Sequence, residues 1–248
     1  MNNKFSIEFT VGLHDAGPGG IIKIPTLFHY LQGAAGAHTN SLNIKDADIQ
    51  QRGYTWVISR YRLSIINLPK FLDKFILTTW VANADEKYAI RDSIITDEAS
   101  NVLIKVTSSW ILINFIKRIL VPATELYPDY PINPERAIDD KFLPIPEVSQ
   151  SHYQKEFIAR KYDLDMNNHV NNSIYAACVI ETGEDMSEGK KLKDISLNYK
   201  GEARYGDTII SEAMNDSENN DNENKRIIHR LKSKDTGKEI TRAITEWE

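Results

Sequence analysis

The chain has 248 residues, 41% hydrophobic and 26% charged, with a formal net charge of −5 and a single cysteine, Cys178. Such a length buries a sizeable core, and such a balance belongs to a soluble globular protein. The negative charge argues against non-specific nucleic-acid binding, which rests on neutralising phosphates, and one cysteine excludes an intrachain disulfide or a cysteine-rich metal site. No run approaches the roughly 20 apolar residues of a membrane span, and "MNNKFSIEFTV" has neither signal-peptide nor transit-peptide character. A cytoplasmic protein without membrane contact is expected.

The chain opens on a strand pattern, "KFSIEFTV", and a Gly/Pro-rich turn, "HDAGPGG". In the next stretch, "IPTLFHYLQGAAGAHTNSL", Leu27, Tyr30, Leu31, Ala34 and Ala35 recur at spacings of three and four, which predicts an amphipathic helix. Strand-like runs follow: "YTWVISRYRLSII", "DKFILTTWVANA", "YAIRDSIITD" and "VLIKVTSSWILIN". Six of the nine prolines then fall between Val121 and Glu147, where no helical or strand period is sustained. This segment reads as an extended linker over 121–150, separating a unit at 1–120 from one at 151–248.

Beyond the linker the same order of signals returns. "YQKEFIARKYDLD" reads as extended, "MNNHVNN" as a turn, and "SIYAACVIETGEDM" as a helix burying Ile174, Ala177 and Cys178 along one stripe. Strands are expected in "DISLNYKGEARYGDTIISEAM", "KRIIHRLKSK" and "EITRAITEWE", with "NDSENNDNENK" as a solvated hairpin loop. Phe71 stands two before Asp73 as Tyr205 stands two before Asp207, and Trp110 corresponds to Trp247. The fold class predicted is a duplicated α+β unit, each copy one helix against an antiparallel sheet.

One stretch carries chemistry. In "KYDLDMNNHVNN" an extended backbone puts Asp165, Asn167 and His169 on one face, just before a helix N-terminus near Asn171 or Asn172. Free N–H groups at residues 170–173 and the positive end of the helix dipole could then stabilise an oxyanion. The same residue types also serve as ordinary turns and caps, and one imidazole with one carboxylate does not complete a metal site. A chemical partner for the string is Glu202, in "LNYKGEARYGD" beside the Gly201 break; a glutamate there is equally a plain hairpin end.

Taken together, "YDLDMNNHVNN", "LNYKGEARYGD", "IPTLFHYLQGAAGAH", "YTWVISRYRL", "YAIRDSIITD" and "TSSWILIN" resemble the acyl-ACP thioesterases of bacteria and plant plastids over nearly the whole chain. The resemblance implies a tandem double hotdog, each module a long helix wrapped by an antiparallel sheet. It also implies hydrolysis of the thioester between a fatty acyl chain and the phosphopantetheine arm of acyl carrier protein, without a metal or other cofactor. Asp165, Asn167, His169 and Glu202 fall on that family's active-site positions. Plant members carry a cysteine directly after the glutamate, whereas this chain has Ala203. Cys178 reads as a small buried hydrophobe, so a covalent cysteine mechanism is not expected.

The resemblance further implies that the first module supplies the acyl pocket, with Trp56 and the 25–42 helix in its lining; a plain core aromatic is the alternative for Trp56. Its own turn lacks an imidazole where His169 falls, and "NLPK" stands at the place of Glu202. Acyl carrier protein is acidic, so Arg160, Lys161, Lys200 and Arg204 are candidate docking cations, with Lys190, Lys191 and Lys193 a second cluster; each set is also explained as a solvated face. An acyl-CoA thioesterase and a non-catalytic acyl-thioester binder stay open as alternatives, as does a homodimer.

Overall fold

A computed structural model describes residues 3–44, 46–126, 130–216 and 224–248. The chain forms two compact units, Met1–Lys141 and Phe142–Glu248, so the division falls within the proline-rich segment. The first unit runs β1 (Phe5–Thr10), α1 (Ile24–Ser41), α2 (Asp46–Gln51), β2 (Tyr54–Ile65), β3 (Lys74–Ala84), β4 (Ala89–Asp97), β5 (Val102–Asn114), β6 (Ile119–Val121) and α3 (Ala123–Leu126). Its strands pair antiparallel in the order β1-β3-β4-β5-β2, with β6 added on β5. The second unit runs β7 (Tyr153–Ile158), α4 (Asn172–Met186), β8 (Leu192–Tyr199), β9 (Thr208–Asn215), β10 (Lys225–Ser233) and β11 (Glu239–Trp247), paired in the order β7-β9-β10-β11-β8. Strand for strand, the two orders are the same. Most of the loop expected at 215–225 lies outside the described residues.

Each helix lays an apolar face on its sheet. In α1, Leu27, Phe28, Leu31 and Ala34 are buried, while Tyr30 is half-buried and its hydroxyl donates to Asp15 Oδ2 at 2.7 Å. The stripe of α4 differs from the expected one. Tyr175, Ala176, Cys178, Val179 and Ile180 are buried, whereas Ile174 and Ala177 are only half-buried. Gly183 continues this face because a Cβ there would lie 2.8 Å from the Trp247 ring and 3.2 Å from His229.

The duplication extends to individual backbone hydrogen bonds. In the first unit Lys23, the residue capping α1, donates its N–H to Asp15 O; in the second, the α4 cap Asn171 donates to Asp163 O. Gly12 N–H donates to Asp15 Oδ2 as Arg160 N–H does to Asp163 Oδ2. Ile22 N–H reaches Pro69 O as Val170 N–H reaches Ala203 O, and Lys70 N–H reaches Asp73 Oδ2 as Arg204 N–H reaches Asp207 Oδ2. Leu72 and Gly206, matched in this scheme, both adopt positive φ, 71° and 85°. Even the matched tryptophans bond alike, Trp110 Nε1 to Ser108 Oγ and Trp247 Nε1 to Thr245 Oγ1.

Polar anchors hold the proline-rich segment to each unit by opposite charges. On β4, fully buried Asp92 accepts from Arg136 Nε at 2.9 Å and from Ala137 N–H at 2.8 Å. On β11, Arg242 donates to Ile145 O and to Glu147 Oε1, both at 3.0 Å. Buried charges need such partners, because an unpaired one would forfeit its hydration without return.

Candidate active site

Residues 161–169 are not extended. Lys161–Asp163 form a 3-10 turn, and the chain then closes a tight loop in which Leu164 bridges Val170 and Asp165 N–H donates to His169 O at 2.8 Å. Asn168, at φ 60°, sits at its left-handed corner, a conformation asparagine tolerates better than most residues. Within the loop Asp165 Oδ1 accepts the N–H groups of Asn167 at 2.8 Å and His169 at 3.2 Å, local side-chain bonding compatible with a turn and not with a strand. Alternation therefore does not align the three side chains. Asp165 and His169 are half-buried, and Asn167 is exposed.

His169 and Glu202 do come together, with Nε2 3.2 Å from Oε2. The histidine side chain is 26% exposed and the glutamate 59%, so the pair is open to water on the Glu202 side. Glu202 follows a close approach of backbones: a Cβ on Gly201 would lie 3.0 Å from Glu239 O. After it, Ala203 is 1% exposed, and its carbonyl accepts Val170 N–H while its own N–H donates to Tyr175 Oη at 2.8 Å. The two loops are thus stitched together on both sides of the His169–Glu202 pair.

Helix α4 begins where expected. Asn171 is its N-cap, its side chain accepting Ser173 N–H at 2.9 Å. The amides proposed as oxyanion donors are mostly committed, however: Val170 to Ala203 O, Asn171 to Asp163 O and Ser173 to the cap. Among the described residues Asn172 N–H, at the first helical position, has no acceptor. Cys178 is 3% exposed, and burial pushes its thiol up to about 12, which keeps it protonated and unsuited to attack.

A pocket of about 270 Å³ adjoins Glu202, lined also by Asp207, Asp235, Lys238 and Glu239. Charges of this density suit no fatty chain. Trp56 instead packs, half-buried, with Ile49, Leu112 and Val121 in an apolar cluster of the first unit. Of the four docking cations, Arg160 is paired with Asp163 at 2.9 Å and Lys200 with Glu239 at 2.9 Å. Lys161 and Arg204 are exposed, with no carboxylate partner among the described residues.

Neither Tyr175, an aromatic in an apolar helical stripe, nor the polar cluster inside the first unit carries a signal in the sequence. There Arg91, 8% exposed, donates to His38 Nδ1 at 3.0 Å and to the hydroxyls of Thr79 and Tyr130 at 3.3 Å. Its partner is thus an imidazole on α1, and burial, then the Arg91 charge, lowers the His38 pKa to about 4.

Comparison with known proteins settles the family. The acyl-ACP thioesterase N-terminal domain matches residues 2–128, and the acyl-ACP thioesterase C-terminal domain matches residues 147–248. The chain belongs to the acyl-ACP thioesterase family. Among relatives of this thioesterase family is the chloroplastic acyl-[acyl-carrier-protein] hydrolase FATB2 of Cuphea viscosissima, 26% identical over 98% of this chain. The match spans 62% of that relative's length. The chloroplastic oleoyl-acyl carrier protein thioesterase 2 of Arabidopsis thaliana is 26% identical over all of this chain and 78% of its own. An acyl-ACP thioesterase structure from Bacteroides thetaiotaomicron superposes with a TM-score of 0.85 at 22% identity, covering 100% of this chain and 98% of that one. The 12:0-ACP thioesterase of Umbellularia californica gives 0.84 at 23%, with the same coverage. These likenesses identify the fold as the tandem double hotdog. No helix among the described residues is long and apolar enough to cross a membrane.

Proposed function

We propose that this protein hydrolyses the thioester of fatty acyl-acyl carrier protein, releasing a free fatty acid and the carrier's thiol. The observation that carries the reading is the His169–Glu202 pair at 3.2 Å, set beside a helix N-terminus and open to water. The names of the Cuphea and Arabidopsis relatives describe the same activity in those proteins.

A thioester is activated enough for water with general-base help to suffice, so the reading calls for no cofactor. Glu202, assisted by His169, takes a proton from a water whose oxygen attacks the carbonyl carbon. The carbon–sulfur bond then breaks, and the proton passes to the leaving thiolate. Either member of the pair can hold that proton, since the two side chains are in direct contact at 3.2 Å. Exposed Asn167 holds the water or the carbonyl, and Asp165 fixes the backbone that carries Asn167 and His169. Asn172 N–H receives the developing oxyanion. In this reading the first unit supplies the acyl pocket, with Trp56 in its lining. The acidic carrier docks in the cytoplasm on exposed Lys161 and Arg204.

The test is fatty acid release from carrier thioesters of graded chain length by the wild type and by Glu202→Gln. Positioned general-base catalysis contributes about 10² to 10⁴ in rate, so the variant should lose turnover on that scale. Its melting temperature should hold, because the Glu202 side chain is 59% exposed. Absence of release from every carrier thioester would overturn the reading.

A further inference from the structure

The two loop pairs match closely enough for each to serve as the other's control. With Lys23 matched to Asn171 as helix caps and Pro69 matched to Ala203 as acceptors, the catalytic positions acquire counterparts in the first unit. Gly17 N–H donates to Ile21 O as Asp165 N–H donates to His169 O, so Gly17 stands for Asp165 and Ile21 for His169. Gly20, at φ 73°, occupies the left-handed corner of Asn168, and Leu68 precedes Pro69 as Glu202 precedes Ala203. The first unit keeps the backbone frame and none of the chemistry.

One further difference is paired. Four residues after each cap lies a buried helical side chain, Leu27 at 0% exposure in α1 and Tyr175 at 1% in α4. Proline at 69 has no N–H to satisfy, and leucine beneath it offers no acceptor. Alanine at 203 has an N–H, and the Tyr175 hydroxyl accepts it at 2.8 Å in a buried setting. The frame can therefore be built without the hydroxyl, as the first unit demonstrates. Only the unit that carries a glutamate at the preceding position has the tyrosine–amide bond.

We propose that Tyr175 is a positioning residue of the active site, whose hydroxyl holds the Glu202–Ala203 peptide and so aims the Glu202 carboxylate at His169. The phenol stays protonated at neutral pH: burial raises its pKa first, and the Glu202 and Asp165 charges add to this against the Ala203 N–H. Its O–H therefore remains a neutral acceptor for the amide. Released from it, the Glu202–Ala203 amide loses its buried anchor, and the Glu202 side chain, carried on the Cα beside that amide, shifts with it. A displacement of about 1 Å at a catalytic group can lower rate about a hundredfold.

This inference rests on the hydrolase reading for its kinetic consequence but not for its structural one. Tyr175→Phe should lower kcat roughly ten- to a hundredfold with KM for the carrier thioester unchanged, and hydrogen exchange at the Ala203 amide should accelerate. Tyr175→Leu with Ala203→Pro transplants the first unit's pair and removes the donor that needs an acceptor. It should recover both melting temperature and kcat relative to Tyr175→Leu alone. Unchanged kcat in an active Tyr175→Phe enzyme, an equally protected Ala203 amide, or a double variant that regains stability without regaining kcat would each overturn the proposal. If the wild type releases no acid, the hydrolase reading fails by itself, and amide exchange still decides whether Tyr175 holds the peptide.

Discussion

The first unit and the second fold one backbone plan around opposite contents. Both loops close with the same bonds from a helix cap to an aspartate carbonyl, yet one presents Gly17, Ile21 and Leu68 where the other presents Asp165, His169 and Glu202. The aspartates kept in both, Asp15 with Asp163 and Asp73 with Asp207, are those that accept backbone N–H groups at loop corners. What the two units share is what the fold needs. What only the second has is available for chemistry.

The comparison makes Asp165 the most informative residue to change. Its carboxylate accepts two N–H groups, which suggests a purely structural part, but Gly17 closes the matching loop without any carboxylate. Asp165→Gly should therefore leave the melting temperature within a few degrees while lowering kcat about ten- to a hundredfold, the scale of a lost positioning contact. Thermal melts and steady-state kinetics on one preparation check both. Collapse of the fold would break the equivalence of the two loops.

A second contrast lies at the surface. Arg160, Lys161 and Lys200 of the second unit are matched by Gly12, Leu13 and Ile66 of the first, whereas Arg204 is matched by Lys70, so the loop frame does not require the first three cations. Lys161 and Arg204 face solvent without carboxylate partners among the described residues, the arrangement expected of groups that meet an acidic partner. Changing both to glutamate should raise KM for carrier-bound substrate about tenfold, most strongly at low salt, and should leave a small acyl thioester unaffected. Equal effects on both substrates would remove the docking role.

Much of this was legible in the sequence. Period-three-and-four spacing located α1, alternation located the long strands, and the Asp73/Asp207 and Trp110/Trp247 correspondences foretold bonds that match in detail. The loop at 161–169 misled because its alternating polar residues imitate a strand, whereas the chain closes a turn by the backbone bond that Gly17 and Ile21 also make in the first unit. The oxyanion amides at 170–173 misled for a related reason: composition shows that donors exist, not that folded neighbours already occupy most of them. Tyr175 was illegible since its significance depends on an amide remote in sequence and on the proline that replaces it in the other unit.

Each unit also buries one neutral histidine, and here the comparison concerns stability. His38 in the first unit, set among Arg91, Tyr130 and Phe5, has its pKa lowered to about 4 by burial and then by the Arg91 charge. His229 in the second, bonded to Thr245 and lying under Gly183, is lowered to about 3 by burial alone. Unfolded, either imidazole takes up its proton near pH 6.5; folded, neither does so until far lower pH. The unfolded state therefore binds more protons, and stability should fall with acidification from about pH 6.5, by up to about 1.4 kcal/mol per pH unit for each histidine. The carboxyls of Asp163, Glu212 and Glu239, held low by their cationic partners despite burial, add their losses only nearer pH 4. Glu184, raised by burial and then by the Asp185 and Glu181 charges, takes up its proton earlier when folded and opposes the histidine loss, so denaturant melts between pH 6.5 and 5 isolate the histidines only by comparison with variants. His38→Gln and His229→Gln should each remove about half of that slope, whatever they do to absolute stability, because each deletes one group that titrates only when unfolded. A slope untouched by either change would mean that both imidazoles are protonated in the folded units, which their burial and the Arg91 contact oppose.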